Sequence, residues 1–244
     1  MTEPPHGGAA QLELALQTAP AEPLDLLIWR EGGGAELPGL QPWSAGPWPG
    51  PWAAAAWHRG DVEGQRVVCV TAPSLPPDAG WITGLPVWWA AARGARTLLV
   101  LNEGRSTGRS PHPAGVVHAT DHLDLTASSP LIGLGSSTRG PLFPDRTGVL
   151  HPDLVPAAER ALASVAGVVA CLPAEGAGLA ASGLDALDLE ADATTRGAAT
   201  PLAAAAHVGL PSLLLVRVQP DALFAEDAPT LLPSLLASMP ERAS

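Results

Sequence analysis

The feature that most constrains this chain is a set of short apolar runs with little polar alternation. They lie at residues 24–29 (LDLLIW), 66–71 (RVVCVT), 97–101 (TLLVL), 115–120 (GVVHAT), 167–172 (GVVACL), 184–189 (LDALDL) and 212–218 (SLLLVRV). Continuous runs of this length, bounded by turn residues, read as strands covered on both faces. Helical patterns fall between them. Residues 11–19 form a short helix ended by Pro20 and Pro23, and residues 86–95 form another with Gly94 near its end. Residues 152–166 are amphipathic with Pro152 near the first turn. Residues 200–209 start on Thr200 as N-cap with Pro201 behind it and close on Gly209, and residues 230–239 form a last helix. This alternation predicts a three-layer α/β fold with a mixed, mostly parallel central sheet flanked by helices. One domain is expected over residues 21–244, preceded by a mobile segment and short helix at 1–20. The stretch 37–60 holds Trp43, Trp48, Trp52 and Trp57 among prolines and glycines. It reads first as a tryptophan-anchored loop packed on the domain, then as a subunit contact or an aromatic wall for a base.

Charge narrows the partners. The 244 residues carry 24 acidic and 13 basic side chains, a formal charge of −11. Nucleic acid and anionic membranes are disfavoured by such a balance. No apolar run reaches the roughly 18–20 residues that a bilayer requires. The start MTEPPHGGAA lacks the basic and apolar regions of a signal peptide, so a cytoplasmic protein is expected. Cys69 and Cys171 sit inside apolar runs and read as buried free thiols.

Several residues could carry chemistry. The segment 102–110 (NEGRSTGRS) follows a strand directly, where ligands bind in such sheets. Arg105 and Arg109, with Ser106, Thr107 and Ser110, could hold an oxyanion or form a polar turn. Gly32, Gly33 and Gly34 follow the first strand, but neither a dinucleotide fingerprint nor a P-loop accompanies them. Asp185, Asp188, Glu190 and Asp192 could meet sugar hydroxyls or a cation; no metal-ligand spacing supports the cation, and no metal is expected. Asp121, His122 and Asp124 could orient an imidazole. Asp221, just past the last strand, is a candidate general acid.

The order of short motifs resembles the trimeric class of purine nucleoside phosphorylases and methylthioadenosine phosphorylases. The stretch ARGARTLLVLNEG, then DHLDL at 121–125, SPLIG at 129–133 and LFPD at 142–145 is similar to that family's T-N-A-A-G-G, D-H-I-N-L, N-P-L-x-G and R-F-P-D. The terminal LLPSLLASMP is similar to the family's last helix. The resemblance implies a nucleoside-phosphorylase-like fold, a homotrimer, a purine nucleoside or base as ligand, no cofactor, and phosphate as co-substrate where the protein is active.

Residue by residue, the carry-over is partial. Asn102 and Gly104 match the T-N-A-A-G-G turn, with Glu103 and Arg105 as charged departures. Leu189 and Glu190 fall on the family's ribose and phosphate contacts in G-M-S. A carboxylate there would oppose a phosphate dianion by roughly 4 kcal/mol per like-charge pair at about 4 Å and an effective dielectric of about 20. The Gly-Ser phosphate loop reads WREGG (29–33), the Q-G-R-x-H stretch reads TAPSL (71–75), and P-G-H reads Pro49, Gly50, Pro51. Glu175 stands for the base-binding glutamate when a gap is allowed, and Pro220 replaces the base-binding asparagine. Three readings follow. The first is a phosphorylase with altered activity, using Arg105 and Arg109 on phosphate, Glu190 on ribose and Asp221 on the base. The second is a silent binding or assembly homologue. The third is a nucleoside hydrolase using Leu189, Glu190 and Asp221.

Overall fold

The computed structural model describes residues 8–31, 36–44, 46–73, 75, 79–109, 115–135, 139–173, 190–218 and 224–239. The apolar runs become β1 (Leu26–Glu31), β4 (Gln65–Ala72), β5 (Thr97–Ser106), β6 (Val116–Asp124), β7 (Val165–Leu172) and β9 (Ser212–Arg217). Three further strands join them: β2 (Gln41–Pro42), β3 (Ala56–Val62) and β8 (Ala193–Arg196). The run at 184–189 lies outside the described residues. Helices are α1 (Gly8–Thr18), α2 (Leu85–Ala92), α3 (Val155–Leu162), α4 (Ala199–Val208) and α5 (Phe224–Leu236). No described helix is long and apolar enough to cross a membrane.

The sheet runs β2-β3-β4-β1-β5-β8-β7-β6-β9, and β9 pairs back onto β5. The last five strands therefore close on themselves. Pairings β1–β4, β1–β5, β5–β9, β6–β7 and β7–β8 are parallel, while β2–β3, β3–β4, β5–β8 and β6–β9 are antiparallel. The expected α/β class and mixed sheet are what the chain adopts, but the sheet closes on itself in part and its antiparallel pairs keep it from being a mostly parallel layer. The cause is the length of β5. Its amino-terminal half pairs with β1 and β9, and its far end, Gly104 to Ser106, pairs with β8. Of the segment read as an oxyanion loop or a polar turn, residues 102–106 are thus a strand extension, and 107–109 form a bend beyond it.

Alternate residues of β1 feed two cores. Leu27 and Trp29 face α1, α2 and α4; Leu26 and Ile28 face α3 and α5. Burial on both faces is what selects an unbroken apolar run over an alternating one. In α4, Thr200 lies inside the helix and Ala198 takes the N-cap position, whereas Gly209 closes it with φ 66° in the left-handed region, as its missing Cβ permits. α5 starts before Pro229 and runs through Pro229 and Pro233. Burial of Phe224, Ala228, Leu231, Leu232 and Leu235 offsets the hydrogen bonds those prolines remove.

The tryptophan-rich stretch is core. Trp48 stacks on Trp57 with centroids 4.3 Å apart and planes within 8° of parallel, and Trp52 meets Trp29 edge-on at 5.1 Å. The Trp52 indole donates to the Ile82 carbonyl at 2.6 Å, and the Trp89 indole to Pro20 at 2.9 Å. Packing explains these rings, as the packed-loop reading has it, with hydrogen bonds for the Trp52, Trp57 and Trp89 N–H groups and no acceptor among the described residues for those of Trp29 and Trp48. The sequence reading missed that the stretch ends in a strand, Ala56–Val62, hydrogen-bonded to β4.

Candidate functional site

A cleft opens where β1, β4 and β7 end. It is lined by Trp29 and Glu31 of β1, by Ala72, Pro73 and Leu75 at and beyond the end of β4, and by Leu172 and Pro173 at the end of β7. Gly197 and Thr200 come from the turn between β8 and α4 and from that helix's first turn. Thr83, Thr126, Ser128 and Ser129 add hydroxyls. With its open mouth and the adjoining solvent included, the space not filled by atoms is about 650 Å³. No arginine or histidine appears among the described lining residues.

Among the described lining residues, Glu31 is the charged one. Burial pushes its carboxyl above the ordinary carboxylate range, with Arg196 pulling the other way. Its carboxylate rests on Gly197, where an added Cβ would overlap the Glu31 Cδ and both carboxylate oxygens. Gly197 also has φ 68°, so glycine satisfies two demands there. Trp29, two residues earlier on the same face of β1, is 1% exposed, and its indole N–H has no acceptor among the described residues.

Behind the hydroxyl wall stands Asp124. Burial would raise its pKa, but hydrogen bonds from Thr126 at 2.6 Å and Arg146 at 2.8 Å outweigh that and hold the carboxyl below its usual value. His122 keeps a lowered pKa, first from burial and then from Arg146, against Asp121 and Asp124. Asp121 accepts from the His122 backbone N–H at 2.7 Å, so it caps the chain there. Burial drives both thiols, Cys69 and Cys171, up to about 12. Neither forms a disulfide, and both stay protonated near neutral pH.

The residues singled out in the sequence scatter. Asn102 is buried and donates through Nδ2 to the Arg196 carbonyl at 2.6 Å. It therefore steadies the turn that carries Gly197 without lining the cleft itself. Gly104 lets β5 approach β8 and β9, since a Cβ would overlap the Thr194 carbonyl and Val216. Arg105 is exposed opposite Thr194, and Arg109 pairs with Glu190 at 3.5 Å on the surface, where the Glu190 side chain is 84% exposed. None of Arg105, Arg109 or Glu190 is among the residues lining the cleft. Thr107 bonds the Ala191 and Asp192 carbonyls, and Asp192 accepts from Val168 N–H at 2.9 Å, both joining β8 to its neighbours. Leu189 and Asp221 lie outside the described residues, as do Gly32, Gly33, Gly34, Ser110, Glu175, Asp185, Asp188 and Pro220.

Sequence reasoning missed Gly197, read Thr200 only as an N-cap, and set the stretch 29–33 on the phosphate loop without giving Glu31 a role. An acid ending a doubly buried apolar run, and a glycine just before a helix, were the available signals. Neither says that the two meet.

No model of a known protein family matches the chain, and no curated protein matches it. Solved structures do. A purine nucleoside phosphorylase from Schistosoma mansoni in complex with acetate superposes with a TM-score of 0.72 at 16% identity, covering 96% of this chain and 97% of the other. The same organism's phosphorylase in complex with adenosine gives 0.68 at 15% identity, covering 94% and 92%. Its isoform 2, in complex with cytosine and ribose-1-phosphate, gives 0.68 at 19% identity, covering 98% and 92%. Identity this low establishes a shared fold over nearly the whole chain, and the fold alone.

Proposed function

We propose that this protein binds a purine nucleoside or free purine base in the cleft at the ends of β1, β4 and β7, and that phosphorolysis there is weak or lost. The observation that carries this reading is the lining itself: a carboxylate, Glu31, and no cationic side chain among the described lining residues. Adenosine, cytosine and ribose-1-phosphate accompany the structural neighbours, which supports a nucleoside or base as the class of ligand on this scaffold. Phosphorolysis needs a dianion held beneath the sugar. An ionised carboxylate nearby opposes each charge of that dianion by roughly 4 kcal/mol at about 4 Å and an effective dielectric of about 20. Asp221, following β9, is retained as the group that would relieve charge on a leaving base. A homotrimer, implied by the resemblance, is part of the same reading.

Thermal shift with inosine, adenosine and hypoxanthine, and base release from the two nucleosides, each with and without phosphate, test the proposal. The expected result is a higher melting temperature with nucleoside or base and no base release that depends on phosphate. Rapid phosphate-dependent release would overturn it. Rapid release without phosphate would replace it with the hydrolase reading, and Asp221→Asn would then abolish turnover.

A further inference from the structure

A second cavity lies away from the cleft and shares no described lining residue with it. It forms where β6 and β9 part. The two strands pair antiparallel over Val116 to His118, opposite Arg217 to Leu215. Beyond His118, β6 stays with β7 alone, and an irregularity between Ala119 and Asp121 leaves Thr120 out of register. The start of β9 is taken instead by the segment before α3: Leu150 bridges Ser212, and the His151 N–H donates to the Ser212 carbonyl at 2.9 Å. The wedge left between the diverging strands is a cavity of about 140 Å³, with Ala119, Thr120, Leu150, His151, Val155 and Leu213 in its walls. A space of that size takes a body of roughly six heavy atoms. Strand irregularities re-aim side chains and gather beside binding sites.

The polar chemistry of these walls is one-sided. Thr120 is exposed, and its hydroxyl donates to the Gly167 carbonyl at 3.3 Å, so its oxygen is left as an acceptor. Nδ1 of His151 is shut off from solvent, with Asp153 Oδ2 3.9 Å away. That carboxylate favours the ring proton on Nδ1, which leaves Nε2 as an acceptor. Ser212 also lines the space, but it is fully buried and its hydroxyl is committed to the Leu210 carbonyl at 3.0 Å. The other described lining side chains are apolar, with no arginine among them. We propose that this cavity is a binding site for a small primary amine, held as its ammonium on a short apolar body: the apolar walls take the body, and Thr120 Oγ1 and His151 Nε2 accept from the N–H groups. An ammonium brings donors and no acceptor, which matches walls that offer acceptors and no unspent side-chain donor. A carboxylate or phosphate would find nothing there to donate to it. The formal charge of −11 favours a cation in the same sense.

The test titrates the full chain with n-butylamine, 1-butanol and butyrate at neutral pH and constant ionic strength. Binding is followed by NMR on the His151 ring and on the Val155 and Leu213 methyl groups. The three probes share one chain length and differ in the head group. Butylammonium is expected to bind about tenfold tighter than butyrate or more, with 1-butanol between them. His151→Leu and, separately, Thr120→Val each remove one acceptor and should narrow the gap between amine and alcohol. Thr120 is exposed, so Thr120→Arg should keep the fold and abolish amine binding by setting a like charge in the wall. Should that variant melt early, His151→Leu and Thr120→Val decide. Equal affinity for the three heads would overturn the proposal. So would the absence of binding by any of them, shifts spread over the acidic surface, or amine binding indifferent to every substitution. The outcome is separate from the nucleoside reading, which is tested in the other cavity.

Discussion

Strand β1 has a carboxylate at each end, and the two are handled in opposite ways. Asp25, just before the strand, is buried and accepts from the Arg66 backbone N–H at 2.9 Å and from Arg66 Nε at 3.1 Å, with Arg96 Nε 4.0 Å away. Its charge is matched on the spot, and its backbone ties β1 to β4 and β5 by receiving Arg96 N–H and donating to Arg66. Glu31 ends the same strand against a glycine, with its charge opposed by burial and eased by one arginine. A charge fully matched by its own fold is scaffold. One left under-matched in a cleft is available to a ligand.

The comparison breaks most easily at Asp25. Asp25→Ala is expected to cost about 3–5 kcal/mol of unfolding free energy in urea, because Arg96 is then left half-compensated in a buried setting. A loss below about 1 kcal/mol would put Asp25 on the same footing as Glu31. Gly197→Ala comes next, at about 1–3 kcal/mol, from its left-handed backbone and from the overlap with the Glu31 carboxylate. Combined with Glu31→Ala, the overlap part should vanish and the backbone part persist, giving a coupling of about 1 kcal/mol or more. Strict additivity would separate the two residues. The smallest effect is in the pH dependence of melting. The Glu31 carboxyl is raised in the folded state, so its ionisation costs the fold little below the ordinary carboxylate range and progressively more as pH rises through the raised value. Glu31→Gln should therefore gain melting temperature relative to wild type as pH goes up. Asp124, whose carboxyl is lowered, should behave oppositely: its contribution is complete above the ordinary value and disappears as pH falls through the lowered one. Asp124→Asn should thus be most destabilising near neutrality. Parallel curves for the two variants would contradict both directions.

Much of the scaffold was readable from local pattern. The runs at 66–71, 97–101, 167–172 and 212–218 are strands within a few residues of the expected limits, because burial on both faces leaves an unbroken apolar signature. Gly209 ends its helix as its lack of a side chain requires. The short β8, ATTR, passed unnoticed because four residues of small and polar character carry no period. Its place in the sheet is fixed by Val169 to Leu172 and by Gly104 to Ser106, both distant in sequence. Asn102 was picked for its place in a motif and proves to hold the Arg196 carbonyl; Arg109 and Glu190, assigned to a ligand, hold each other.

From the sequence alone came the α/β class, the doubly buried strands and the acidic balance that disfavours nucleic acid, since each depends on neighbours along the chain or on totals. The closure of β9 onto β5 and the meeting of Glu31 with Gly197 were decided only in three dimensions. Those contacts join residues more than a hundred positions apart, and no local pattern of polarity encodes which distant glycine will lie under a carboxylate.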